Sequence, residues 1–399
     1  MKLSSLLLIA IIFSLTPAIG LADWETEGIT DTSIKVGMWG PVSGPANVFY
    51  PAIYGAQIYY NELNKKGGVH GRKIEYIVED DQCIPAMSVA AAKKLITQDK
   101  VFLLHGGICT LAGTACVPYI AESKVPWIIC LAAVKYSPEN NHKNIFLVGG
   151  SAYCQGTSLV DIAVKKLKAK RIAVLKQTDM YGKDGADGVK RSLKKYPGVE
   201  IVAEEILEGN ATDATPQIMK IKDTNPDAVI LLLYPRPGII YLRQAYELGF
   251  KVPSLSQTAI DPVVYHHKLV PVEALEGHYH LLAISDDPVK GKSLEWFRKL
   301  YAQYFPDIAA KPGEPSVWGP YGYGTAMVAV EGLKRAGRNL TRTKFIEAME
   351  TIIDFKTDVI PGPTSHPPGA HRGTPVNKVW TVKNGQLVVL PEIWVEEWP

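Results

Sequence analysis

The chain has 399 residues, 47% of them apolar and 21% charged, with a formal net charge of +3. That length accommodates two domains, and the composition is ordinary for a globular protein. So small a charge, with no run of lysine and arginine, argues against a nucleic-acid surface.

Met1-Lys2 precedes an apolar run from Leu6 to Leu15, then Pro17 and the small residues of Gly20-Leu21-Ala22. This pattern predicts a secretory signal over 1–22, cleaved near Ala22, and hence a periplasmic protein. About ten apolar residues fall short of the ~20 that cross a bilayer, and no later segment reaches that length.

Ile34-Lys35-Val36-Gly37-Met38 reads as a short buried strand that empties into Gly40-Pro41-Val42-Ser43-Gly44-Pro45, a loop too rich in Gly and Pro to be regular. Ile53, Ala56, Tyr60 and Leu63 recur at helical spacing, and the helix should stop at Gly67-Gly68, where a left-handed residue is easily supplied. A second strand, Lys73 to Val78, delivers Asp80-Asp81-Gln82-Cys83. In such a βαβ fold, ligands sit where strands release loops at their carboxyl ends.

The alternation continues through a strand at Val101 to Leu104, a helix at Leu111 to Glu122, and strands at Val125 to Leu131 and Asn144 to Val148. A new series has a helix at Gly156 to Leu167, strand Arg171 to Leu175, helix Gly185 to Leu193, strand Glu200 to Glu204 and the apolar run Ala228 to Leu233. Parallel sheets covered on both faces require such continuous apolar strands. Two α/β units are therefore expected on either side of about residue 150. Helices at Leu294 to Tyr304, Tyr321 to Leu333 and Thr343 to Met349 follow. Val379-Trp380-Thr381-Val382, Asn384-Gly385 and Leu387-Val388-Val389 carry a hairpin signal.

Export permits disulfides among the five cysteines. Cys83 follows the second strand and Cys109 the third, and neighbouring strand ends lie close together in a parallel sheet, which makes this pair the best candidate bridge. The alternative is that all five are buried small hydrophobes. Cys116, Cys130 and Cys154 are unassigned, and at least one thiol stays unpaired.

The chain resembles the type I periplasmic solute-binding proteins of ATP-driven importers, specifically the group similar to leucine/isoleucine/valine-binding protein. The matching features are Ile34-Lys35-Val36-Gly37, Ser43-Gly44-Pro45, the run Asn64-Lys65-Lys66-Gly67-Gly68-Val69-His70-Gly71-Arg72-Lys73-Ile74, Asp80-Asp81-Gln82-Cys83 and Met180-Tyr181-Gly182. Their order and spacing cover nearly all of the chain after the signal. The resemblance implies an α/β fold with two doubly wound parallel-sheet lobes joined by a three-strand hinge. Lobe 1 would hold 33–150 plus 282–372, and lobe 2 would hold 151–281 plus 373–399.

It also implies a site. Gly106-Gly107-Ile108-Cys109-Thr110 leads from a strand into a helix, so its N–H groups and the Thr110 hydroxyl suit a carboxylate; a simple helix cap is the alternative. Ala132 matches a position whose backbone touches ligand, and Val134 stands where amino-acid binders often carry Thr. Tyr181 and Tyr234 match cleft tyrosines, against the alternative of half-buried packing. Thr258 falls where amino-acid binders place a Glu against the ammonium, with Asp261 a nearby substitute. An ammonium without its counter-charge in a closed cleft is costly. Arg236, read as a residue of a loop facing the cleft, is either a bidentate carboxylate partner or a solvated arginine. Trp39, Phe49 and Tyr50 belong to the first loop, where aromatic rings suit a flat or apolar ligand.

Enzyme readings find little footing. His266-His267 and His278-Tyr279-His280 lack the spacing of a metal set, no phosphate cradle or nucleophile elbow is present, and Asp80-Asp81 are explained by the loop beside the bridge. The expectation is a monomeric, non-catalytic binding protein with no cofactor or metal, working with a membrane permease. Its expected ligand is a small carboxylate, an aromatic or other apolar acid lacking an α-amine. The alternatives are a branched-chain or other amino acid, or a sensor of the same fold.

Overall fold

The computed structural model describes residues 21–134, 142–260, 263–374 and 376–395. Asp261 and residues 1–20 of the expected signal lie outside them.

After a short helix α1 (Leu21–Thr26), the first half builds strands β1 (Ser33–Gly40), β2 (Lys73–Asp80), β3 (Leu103–Gly106), β4 (Trp127–Ile129) and β5 (Ile145–Leu147). They form one wholly parallel sheet in the order β2-β1-β3-β4-β5. Helices α2 (Pro51–Lys65), α3 (Pro85–Thr97) and α4 (Thr110–Ser123) make the crossovers. The end of α2 is tied to β2 by Asn64, whose side chain accepts from the N–H of Ile74 at 2.7 Å and donates to its carbonyl at 2.8 Å. The next two glycines, Gly67 and Gly68, take positive φ as expected.

The second half runs α5 (Ala152–Lys165), β6 (Arg171–Lys176), α6 (Met180–Leu193), β7 (Glu200–Ile206), α7 (Thr215–Asp223), β8 (Ala228–Leu232), α8 (Pro235–Glu247), β9 (Ser254–Ser256), α9 (Val263–His266) and β10 (His278–Leu282). Helices α10 (Glu295–Tyr304), α11 (Pro306–Ala309), α12 (Trp318–Ala336) and α13 (Arg342–Glu350) follow, then β11 (Val376–Lys383), β12 (Gln386–Val389) and β13 (Trp394–Val395). The second sheet has the order β12-β11-β10-β9-β8-β6-β7. It is parallel from β7 to β10, but β11 joins β10 antiparallel and β12 and β13 pair antiparallel with β11. This sheet is therefore mixed rather than purely parallel. The hairpin itself lies where the sequence placed it, turning at Asn384 and Gly385, both with positive φ.

The sequence reading passed over α3, α7 and α8. Helix α8 opens Pro235-Arg236-Pro237-Gly238, which reads as loop. Prolines in a first turn remove only N–H groups that have no partner inside the helix.

The chain passes between the sheets after β5, after β10 and before β11, and the passing segments are hydrogen-bonded. Thr374 N–H donates to the Val148 carbonyl at 2.7 Å, Leu147 N–H to that of His371 at 3.0 Å, and Ser285 N–H to that of Val359 at 2.7 Å. After the second passage, α12 packs back on α2 of the first unit at glycine contacts. A Cβ at Gly55 would stand 1.8 Å from the Gly319 carbonyl oxygen, and one at Gly322 would stand 1.9 Å from that of Ala52. Gly55→Ala must therefore push the two helices apart, and an expected loss of about 3 kcal/mol would appear as a lower urea midpoint. An unchanged midpoint would mean that the helices separate freely.

Candidate functional site

A cleft of about 590 Å³ opens between the two sheets. Its first wall is the loop Pro45 to Phe49, the Cys83–Cys109 disulfide and Leu111. Its second wall is Asp179, Gly209, Ala259, Leu269 and the start of α8 from Tyr234 to Ile240.

The first wall is shaped by two aspartates at the end of β2. Asp80 Oδ1 accepts from the N–H groups of Val42, Ser43 and Gln82 at 3.0, 3.2 and 3.1 Å, which folds the β1 loop over the cleft. Burial would raise this carboxyl, yet the bonds from Ser43, Gln82 and Val42 hold it below its ordinary range. Asp81 accepts from Cys83 N–H at 2.9 Å and from the Ser88 hydroxyl at 2.5 Å. The expected bridge is present: Cys83 and Cys109 are bonded with their Cα atoms 5.6 Å apart, pinning this loop to the start of α4. Cys116, Cys130 and Cys154 are buried and form no disulfide among the described residues.

Thr110 opens α4 and is buried; its hydroxyl oxygen accepts from Ala133 N–H at 3.1 Å. Across the cleft, Tyr181 and Tyr234 stack with centroids 4.9 Å apart and planes at 7°. Tyr181 is 3% exposed, donates to Gln155 Oε1 at 3.5 Å and accepts from Ala259 N–H at 3.3 Å. Tyr234 N–H donates to Gln177 Oε1 at 2.5 Å, which aims its ring across the cleft. Its hydroxyl is buried without a partner in hydrogen-bonding geometry, although it faces the Thr110 side chain and the amides of Thr110 and Leu111. Burial raises both phenols, so each stays protonated and able to donate. Thr258 donates from its N–H and its hydroxyl to Gln155 Oε1 at 3.1 and 3.2 Å.

Thr110, Tyr181, Tyr234 and Thr258 thus come together near Ala133 and Gln155, and Phe49 and Arg236 line the cleft. Four other sequence candidates stand differently. Trp39 is part of β1 and 0% exposed, its ring 5.3 Å from that of Trp127, because the strand continues two residues further than expected and turns the indole into the core. Tyr50 closes a short turn before α2 and packs on Tyr54 at 3.9 Å, away from the cleft. Ala132 and Val134 pack in the core of the first sheet, and Ala132 N–H is taken by the Gly107 carbonyl at 3.1 Å. Arg236 is a residue of the first turn of α8, not of a loop; it is exposed and in no ion pair among the described residues.

Sequence reasoning missed Gln155, Gln177 and Asp179. A glutamine on a helix or at a strand end carries no signal until its neighbours in space are known. Asp179 immediately precedes the Met180-Tyr181-Gly182 motif and carries no signal of its own. It caps α6, accepting from Gly182 N–H at 3.0 Å, and its carboxyl, raised by burial, borders the cleft. His278 and His280, two apart on β10, share a face. They form a buried chain with Ser254 and Ser256 over distances of 2.7 to 3.1 Å. Among the described residues no group of three or more His, Cys, Asp or Glu is placed to hold a metal, and no helix is long and apolar enough to cross a membrane.

Residues 33–385 match the model of the periplasmic binding proteins. The chain belongs to this family. A leucine-, isoleucine-, valine-, threonine- and alanine-binding protein of Pseudomonas aeruginosa is 28% identical over 234 residues, 58% of this chain and 62% of that relative, so the match spans less than two thirds of the relative's length. The branched-chain amino acid transporter substrate-binding protein LivJ of Streptococcus pneumoniae, solved with isoleucine, superposes with a TM-score of 0.76 at 21% identity, over 92% of this chain and 100% of that one. A solute-binding protein of an ABC transporter from R. palustris, solved with benzoate, does so with a TM-score of 0.77 at 19% identity, over 92% and 98% of the two chains. These structures show the two-lobed fold of type I periplasmic binding proteins, which the resemblance implied.

Proposed function

We propose that this periplasmic binding protein is the solute-capturing component of an ABC importer. It would act outside the cytoplasm as a monomer without catalysing a reaction, and hand its closed form to a membrane permease. The lobes of this reading are 33–150 plus 282–372 and 151–281 plus 373–399. Closure is stabilised only by a ligand that contacts both.

The ligand proposed is a small apolar or aromatic carboxylate without an α-amine. The observation that carries it is the lining of the cleft, where Phe49, Leu111, Pro235, Pro237, Ile239 and Ile240 surround a single arginine, Arg236. Thr258 supplies no counter-charge for an ammonium, and its donors are already satisfied by Gln155. The benzoate complex of a protein of like fold is compatible with this choice.

An amino-acid ligand is the second reading, favoured by Asp179 on the cleft wall and by the amino-acid-binding relative. A thermal-shift screen separates the two, because a true ligand stabilises the folded form by RT ln(1 + [L]/Kd). Benzoate-like and phenylpropanoid acids should raise the melting temperature; a shift with amino acids alone would reject the first reading. Arg236→Ala should weaken the acid about tenfold, as expected for loss of one charge-assisted contact, without lowering stability. Calorimetric titration reads this, and undiminished affinity would remove Arg236 from the site.

A further inference from the structure

A second cavity, about 740 Å³, adjoins the cleft further along α8. Ile239 and Ile240 face the cleft and Arg243, one turn on, faces this cavity, while Leu269 borders both. Its charged lining is entirely basic: Arg243, Lys268 and Lys290, with the imidazole of His266 beside them.

Each cation is presented rather than neutralised. Arg243 donates one N–H, from Nη2, to the Leu269 carbonyl at 2.7 Å, which fixes the guanidinium at the rim and leaves its other donors available. The Lys290 ammonium stands 5.8 Å from the centroid of the Tyr265 ring, and that ring is anchored by its hydroxyl donating to the Gly385 carbonyl at 3.0 Å. Neither Lys268 nor Lys290 has an ion pair among the described residues, whereas Lys94, Lys165, Lys176 and Lys190 all do. The His266 side chain is only 7% exposed, and its Nε2 is buried without a hydrogen-bond partner, 3.7 Å from Asp287 Oδ1. Asp287 Oδ1 is itself engaged by the N–H groups of Val289 and Lys290 at 2.8 and 2.9 Å. Glu276, next in the chain to the lining residue Leu275, accepts from Gly385 N–H at 2.7 Å.

Three cations around one concavity repel each other and raise the local concentration of anions. The geometry points to a second binding site, for a small polyanion carrying two or more negative charges, with Arg243, Lys268 and Lys290 as its charge partners. The site is separate from the cleft and does not rest on the ligand proposed there.

Inorganic pyrophosphate and citrate, titrated calorimetrically into the full chain at about 0.1 M salt, test the proposal and distinguish a phosphoryl from a polycarboxylate ligand. Binding of either anion is expected, weakened at least about tenfold in the double variant K268Q/K290Q, whose side chains are exposed and whose fold should persist. Lys299→Gln, at an exposed lysine of α10 that does not line the cavity, should leave it unchanged. The proposal is overturned if neither anion binds, if K268Q/K290Q binds as the unmodified chain does, or if Lys299→Gln weakens binding equally. Circular dichroism on each variant separates lost binding from lost fold.

Discussion

Acidification from about pH 7 to about pH 5.5 should lower the unfolding free energy by roughly 4 kcal/mol. The cause is a set of buried histidines held neutral, and the figure counts the three whose lowered values are about 3 to 4. His105 is fixed between the Tyr60 hydroxyl at 2.8 Å and that of Thr325 at 3.0 Å. His278 lies between Ser254 and Ser256, and His366 donates from Nε2 to the Leu147 carbonyl at 2.6 Å. Burial lowers His105 and His278 to about 3 and His366 to about 4, and it takes His280 well below its ordinary value too.

In the unfolded chain these imidazoles take up protons near pH 6.5, whereas in the folded protein they do so only toward pH 3 to 4. Between those limits the unfolded state binds more protons, so stability falls as pH falls, by about 1.4 kcal/mol per group for each unit below 6.5. Asp81, Asp179 and Glu314, which burial raises, work in the opposite sense. Urea unfolding at the two pH values measures the difference, and equal stabilities would show that these imidazoles are not held neutral. His366 also bonds a segment where the chain passes between the sheets, so acid should loosen the hinge as well as the core.

Loss of the Cys83–Cys109 bond should destabilise the protein by about 3 kcal/mol and weaken ligand capture as well. The bond closes a loop with a sequence separation of 26, and the chain-entropy account assigns that figure to a loop of such length. The effect on binding follows from position, since both cysteines line the cleft and join the β2 loop to the start of α4. The remaining thiols offer no substitute pairing: Cys116, Cys130 and Cys154 are buried, and burial pushes the first two up to about 12, so they stay protonated. Melting curves of Cys83→Ser and of the oxidised chain, with and without reductant, give the comparison. The prediction fails if the variant and the oxidised chain melt together.

Much of the fold was legible in the chain. Val36, Ile172 and Val229 sit in runs whose uninterrupted apolar character requires cover on both faces, and Asn384-Gly385 can close a hairpin without regard to distant residues. Helix α8 was not legible, because Pro235 and Pro237 carry the same signal in a loop as in a first turn.

The candidate site divides in the same way. Cys83 and Cys109 could be singled out as the best candidate pair because parallel strands release their loops at one edge, although β1 lies between β2 and β3. Trp39 could not be excluded from the cleft, because one further pair of residues in β1 decides whether an indole faces ligand or core. Gln155 could not be found at all. Its role rests on Tyr181 and Thr258, which converge on it from 26 and 103 residues away.

The sequence by itself determined the α/β class and the family resemblance and singled out the bridge as one of two readings, since these depend on periodicity, turn chemistry and which strand ends share an edge. Only the tertiary structure decided which aromatic rings reach the cleft, that Arg236 starts a helix, that the second sheet ends antiparallel, and where the basic cavity lies. Those depend on strand ends and on contacts between residues far apart in the chain, where one or two residues of register change what a side chain meets.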